Sequence, residues 1–192
     1  MLVTLDWETY FSQQYHLKKL TIPEYVLGDQ FKEHMCEIKI DDTETFVVKG
    51  DDIFDALCDI PWDEATMVCQ NMGFDGFIAS QIHGITPRRY VDTRSMSAAL
   101  YVGEISHSLK NIAERVFPED ESMRKGDSLM DSKGLIELPP DIYDDIAKYC
   151  KQDVDLTYAI YKKLSPLMPQ SEMDIIDLTA RMFCQPMFEL DK

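Results

Sequence analysis

The first segment, MLVTLDWET, narrows the fold before anything else does. The apolar run MLVTLD reads as a buried first strand, with two carboxylates, Asp6 and Glu8, near its C-terminal end. Residues i and i+2 of a strand share a face, so both carboxylates project from one side, ~5–7 Å apart. Two anions so held repel each other unless something positive sits between them, and hard divalent cations take carboxylate oxygens. Taken alone, a DxE triplet is common, and a solvated strand end is the commoner explanation of it.

The rest of the chain sets this strand in a layered domain. CEIKI and TFVVK alternate and predict two strands joined by a DDTE turn, after a polar connection with a helical turn near TIPEYVLG. DDIFDALCDI predicts a helix with acidic residues at its start. ATMVCQ predicts a short strand, and GFDGFIASQIHG a helix closed by Gly84. RRYVDT reads as a further strand, and DTRSMSAALYVG and SLKNIAERVF as two helices. Residues 118–134 concentrate flexible signals and are the expected mobile loop. The longest helical pattern starts at Pro140, and Ser171 with Asp174 resembles a capping box opening one more helix. PMFELDK reads as the start of a further element where the chain stops, which predicts a fragment or a following segment. Strands first, then strands alternating with helices, predict an α/β domain; 192 residues suit one domain.

Composition limits the partners. With 35 acidic against 19 basic residues the chain carries −16, and an acidic protein repels a phosphate backbone at long range. A freely diffusing, sequence-specific DNA reader is therefore not expected, whereas a nuclease that grips nucleic acid through bound cations is consistent with the charge. Five cysteines, with no CxxC pair or zinc spacing, predict reduced thiols in a cytosol-like compartment. Cys150 and Cys184 fall in helical patterns and are expected to pack as small hydrophobes. No signal-peptide pattern and no apolar run of ~18 residues appears, so a cytoplasmic location without a membrane span is expected.

Two further motifs carry carboxylates. NMGFD places Asp75 near the start of a helix that follows a short core strand; capping by Asn71 and complementation of the helix dipole by Asp75 would explain them equally well. YCKQD places Tyr149 and Asp153 one turn apart on one face of the long helix; a core tyrosine beside a surface acid is the alternative. Asp155 points elsewhere on the helix and reads as solvated.

With order, spacing and flanking structure in agreement, DWET, NMGFD and YCKQD together resemble the DnaQ-like 3′–5′ exonucleases and their DEDDy pattern of four acids and one tyrosine. The resemblance implies the RNase H-like fold, a mixed central sheet flanked by helices. It is closer to the proofreading domain of bacteriophage-type family A DNA polymerases, where LTIPEYV, YVDTRSMSAAL, YCKQDVDLTYAIYKKL and DLTARMFCQPMFELD have counterparts. It runs over nearly the whole chain and implies a single exonuclease domain, 1–192, whose C-terminal end leads into a polymerase domain absent from this chain. Two positions depart from the pattern. Gln70 stands where many relatives have His before the Asn, which is expected to be tolerated. Lys148 stands where the sister subclass has histidine, so Tyr149 places the chain in the tyrosine subclass.

The resemblance further implies two divalent cations, Mg2+ with Mn2+ able to substitute, ~3.5–4 Å apart across a scissile phosphodiester. Asp6 would bridge both, Glu8 and Asp153 complete one site, and Asp75 hold the other. A phenol, ionising in general near ~10, is a poor base at neutral pH, so Tyr149 is expected to orient the attacking water. The expected substrate is a frayed or single-stranded DNA 3′ end, read with little sequence preference, and the expected partner is a polymerase domain or subunit. Thr9 and Asn71 are candidates to contact the terminal nucleotide. Trp7 and Phe74 are candidates to stack on a base, with core burial the better explanation of both. Arg88 and Arg89 read as a solvated pair and Asp92 as a helix cap, and no role falls to the four histidines. The competing expectations are an RNA-trimming exonuclease with the same chemistry and a catalytically silent scaffold domain.

Overall fold

The structure, a computed structural model, describes residues 1–124 and 132–185. Its centre is a five-stranded sheet in the order β3-β2-β1-β4-β5. The strands are β1 (Leu2–Thr9), β2 (Glu33–Ile40), β3 (Phe46–Lys49), β4 (Thr66–Cys69) and β5 (Arg89–Asp92). β2 runs antiparallel to both of its neighbours, β1 and β3. β4 and β5 lie parallel to β1 and to each other, because each follows a helical crossover rather than a tight turn. The result is the mixed sheet of the RNase H-like fold.

Helices cover both faces. α1 (Ile22–Val26), α2 (Ile53–Cys58) and α3 (Met72–Gln81) lie on one side; α4 (Thr93–Leu100), α5 (Leu109–Val116) and α6 (Pro140–Leu164) lie on the other. β1 has the alternation that such a sandwich demands. Val3, Leu5 and Trp7 enter the core under α1–α3, while Asp6 and Glu8 point to the α6 side. α7 (Gln170–Cys184) closes the β5 edge and feeds both cores, with Ala180 and Cys184 in one and Met173 and Ile176 in the other. It also supplies a partner to the open edge of the sheet: Asp177 accepts the Tyr90 N–H at 2.7 Å.

Local chemistry explains most of the boundaries. α1 opens on a capping box between Thr21 and Glu24, and Asp92 caps α4 by accepting the Arg94 N–H, as expected. The expected cap of α7 is not made. That helix starts two residues earlier, behind Pro169, so Ser171 lies inside it and Asp174 instead pairs with Arg89. Within the expected loop, Glu121–Met123 form a 3-10 turn capped by Asp120; residues 125–131 lie outside the described residues, as does the whole of 186–192. Among the described residues no helix is long and apolar enough to cross a membrane.

Candidate active site

The site forms where β1 outruns its parallel neighbour. β1 pairs with β4 only from Leu2 to Thr4. Beyond that point the chain after β4 turns away at Asn71, whose left-handed backbone (φ 72°) starts α3. The first turn of α3 then fills the space beside the exposed edge of β1, and Asp75 Oδ1 accepts the Trp7 N–H at 3.1 Å. Asp75 is therefore 2% exposed and sits against the peptide between Asp6 and Glu8. Asn71 does not cap α3. Its side-chain oxygen accepts from Arg94 at 2.8 Å, and its N–H donates to Asp92 at 2.9 Å.

α6 completes the arrangement from above, packing across β1, β2 and β4. Cys150 is buried there, and its thiol donates to Glu8 Oε1 at 3.1 Å. This corrects the expectation of a merely hydrophobic Cys150. Burial, with Glu8, Glu37 and Asp6 nearby, pushes the thiol far up, which keeps it a protonated donor. Asp153 lies on the same helix, half-buried, and Tyr149 stands one turn earlier, 36% exposed. Asp155 is exposed, as expected, and also accepts from Lys39 at 2.9 Å and Thr45 at 2.6 Å, which pins α6 to the β2–β3 hairpin.

The carboxylates feel one another. Burial first, then the charges of Asp75, Glu8, Glu37 and Asp153, hold the Asp6 carboxyl well above the usual carboxylate range. Burial pushes Asp75 up to about 8, against the pull of the Trp7 N–H and its own amide, with Glu8 and Asp92 adding to the rise. The three motifs thus meet at the C-terminal end of β1. Among the described residues no group of three or more His, Cys, Asp or Glu is drawn close enough to hold a metal ion. The donor set nevertheless fits a hard divalent cation, being made of carboxylate oxygens around one strand end.

A cleft of about 470 Å³ opens beside Glu8, lined among others by Thr9, Phe11, His16, Tyr25, Phe74 and Lys133. Thr9 is held there by a 2.8 Å hydrogen bond between its hydroxyl and that of Tyr25, and half-buried Phe74 packs 6.0 Å from the Tyr25 ring. Trp7 borders the cleft but cannot offer its face to a base. Its indole is 3% exposed, donates to Glu33 at 2.8 Å and stacks on His83. Gln70, in the place of the usual histidine, is tied to Thr93 and the His107 carbonyl. Arg88 and Arg89 lie at the start of β5, the opposite end of the sheet from the acids. Sequence reasoning missed three residues here: His16 and Lys133, which line the cleft, and Glu37, buried opposite Asp6. For Glu37 the signal was present, a carboxylate between Cys36 and Ile38 in an otherwise apolar strand core.

The sequence pattern of the 3′–5′ exonuclease domain family matches residues 28–169. That span holds Asp75, Tyr149 and Asp153, while Asp6 and Glu8 precede it. A comparison with curated proteins finds none that matches. Among solved structures, the catalytic core of RRP6 from Trypanosoma brucei superposes with a TM-score of 0.65 at 16% identity, over 99% of this chain and 49% of that one. NrnC from Brucella melitensis gives 0.63 at 14% identity, over 95% and 81%. RNase D from Escherichia coli gives 0.59 at 14% identity, over 96% and 45%. The chain thus spans about half the length of the RRP6 core and of RNase D. The family match over most of its length, the shared fold and the convergence of three acidic motifs lead to one conclusion: the chain belongs to the 3′–5′ exonuclease domain family.

Proposed function

We propose that the chain is a metal-dependent 3′–5′ exonuclease that removes nucleoside 5′-monophosphates from single-stranded or frayed DNA 3′ ends, as the proofreading activity of a DNA polymerase. The observation that carries the reading is Asp6, a carboxyl at the end of the central strand surrounded by the charges of four others. Such a cluster serves a cation rather than the fold. Asp6, Glu8, Asp75 and Asp153 would hold two divalent cations, Mg2+ in the first instance; NrnC from Brucella melitensis has been solved with bound Mg2+. Bound cations supply an acidified water and stabilise charge on the leaving 3′ oxygen.

The chain's own residues do the rest. The Trp7 N–H fixes Asp75 and the Cys150 thiol fixes Glu8, so two of the acids are oriented before substrate arrives. Tyr149, exposed beside Asp153, orients the attacking water by hydrogen bonding. Thr9 and Phe74, on the cleft wall next to Glu8, receive the terminal nucleotide. A single strand enters such a cleft, while a duplex must first fray.

RNA trimming is the second reading, and the named neighbours favour it. RNase D from Escherichia coli is described as an exoribonuclease, RNase D from Trypanosoma brucei was solved with RNA U12, and NrnC was solved with pGG. The test is digestion of 5′-labelled DNA and RNA oligonucleotides of one sequence with Mg2+. A 3′-end ladder on DNA, at a rate well above that on RNA, supports proofreading. The reverse preference assigns the chain to RNA trimming, and no ladder on either substrate from folded protein returns it to the scaffold reading.

A further inference from the structure

Glu37 of β2 is the residue that pairs with Asp6 across the antiparallel ladder. Along β2, Met35, Glu37 and Lys39 share the face turned to α6. Met35 clusters with Ile146 and Cys150 of that helix, and Lys39 reaches Asp155. Between them Glu37 is wholly buried at 0% exposure, and neither of its carboxylate oxygens has a hydrogen-bond partner. A carboxyl group is not retained in such a place without a reason, since burying it unpartnered is costly. Lys39, the nearest cation on its own strand, is committed to Asp155 and to the Thr43 carbonyl. Glu37 faces the acids of the site instead. Burial and then the charge of Glu8 raise its pKa, against the pull of its own amide, and Asp153 and Asp75 add to the rise.

We infer that Glu37 is a fifth oxygen donor to the divalent-cation site, supplied by β2 from outside the three sequence motifs. The inference rests on the metal-dependent reading above and deepens it. Four carboxylates match the charge of two divalent cations; a fifth leaves the filled site negative and tightens its hold on them. It also provides the partner that the two buried oxygens otherwise lack. A Glu37 that merely packs, protonated, against Met35 and Cys150 would leave cation binding indifferent to its replacement.

The test is Mn2+ binding to the full chain without nucleic acid, followed by loss of the free-ion EPR signal, for the wild type, E37Q and D6N. Thermal melts in EDTA verify that each variant is folded. The expected result is that E37Q binds Mn2+ at least about tenfold more weakly than the wild type, with D6N also weakened. Unchanged binding by E37Q, while D6N loses its cation, overturns the inference and leaves the metal-dependent reading intact. Unchanged binding by both overturns the two together. If E37Q does not fold, E37D replaces it, since it keeps the charge and withdraws the oxygens by one methylene; the same weakening is expected, and unchanged affinity overturns the inference.

Discussion

Asp6 and Asp75 are folded into positions that their negative charges resist. Both carboxyls titrate above their ordinary value of 3.8, Asp75 at about 8, so the native state binds protons that the unfolded chain has already released. The sign follows: their stabilising contribution is complete below the unfolded value and is lost as pH rises through the folded one. Without divalent metal, the melting temperature should fall between roughly pH 5 and pH 8, and added Mg2+ should restore it, as a pH series of melts with and without EDTA would show. Asp6→Asn removes one charge from the cluster. It should stabilise the metal-free protein at pH ~8 by ~1 kcal/mol while abolishing exonuclease activity, a trade measured by denaturant unfolding beside an activity assay. A strand period puts Asp6 and Glu8 on one face and a helix period puts Tyr149 and Asp153 on another, but Asp6, Glu8, Asp75 and Asp153 became a candidate site only through the resemblance that DWET, NMGFD and YCKQD carry together. Glu37 and the Cys150 thiol were not legible in the sequence, because their roles depend on which strand lies beside β1 and which turn of α6 crosses it. Trp7 went to the core, the better of the two explanations that the sequence offered. Strand alternation sends its indole to the face opposite Asp6 and Glu8, where Glu33 and His83 engage it.

At the scale of elements, Asp75 depends on how closely α3 approaches α7. Gly76, next in sequence, makes the approach possible: a Cβ there would come within 2.8 Å of Met72 Sδ and 2.9 Å of Cys184 Sγ. Gly76→Val should therefore destabilise the protein by ~1–3 kcal/mol through overpacking. It should also lower activity beyond what the unfolded fraction explains, because a displaced α3 carries Asp75 away from the Trp7 N–H. Urea unfolding and specific activity on the folded fraction separate the two effects. Element types were readable from hydrophobic period and turn residues, but some ends were not. β1 continues past Asp6 to Thr9 because β2 keeps pairing with it, and α7 starts behind Pro169, so the capping-box spacing of Ser171 and Asp174 did not mark its start.

For the whole molecule, the strand order was beyond local sequence signals, since nothing in ATMVCQ says that it lies parallel to β1. It entered through the resemblance of three motifs, and the parallel register of β1 with β4 is what brings the first two of them together. The net charge of −16 has its own consequence. A nuclease that holds its strand in a basic groove loses affinity steeply between roughly 50 and 200 mM salt; here salt screens a repulsion. At fixed Mg2+, kcat/KM on a short single-stranded oligonucleotide should stay level or rise across that range, and a steep fall would show a basic grip that the charge does not suggest. The measurement to make first follows a 3′-labelled single-stranded DNA with the wild type in Mg2+, the wild type in EDTA, and Asp6→Asn in Mg2+. Release of the labelled 5′-mononucleotide in the first reaction alone is the predicted result. Release in EDTA, release by Asp6→Asn at the wild-type rate, or internal fragments ahead of mononucleotide would contradict a metal-dependent 3′–5′ exonuclease centred on Asp6.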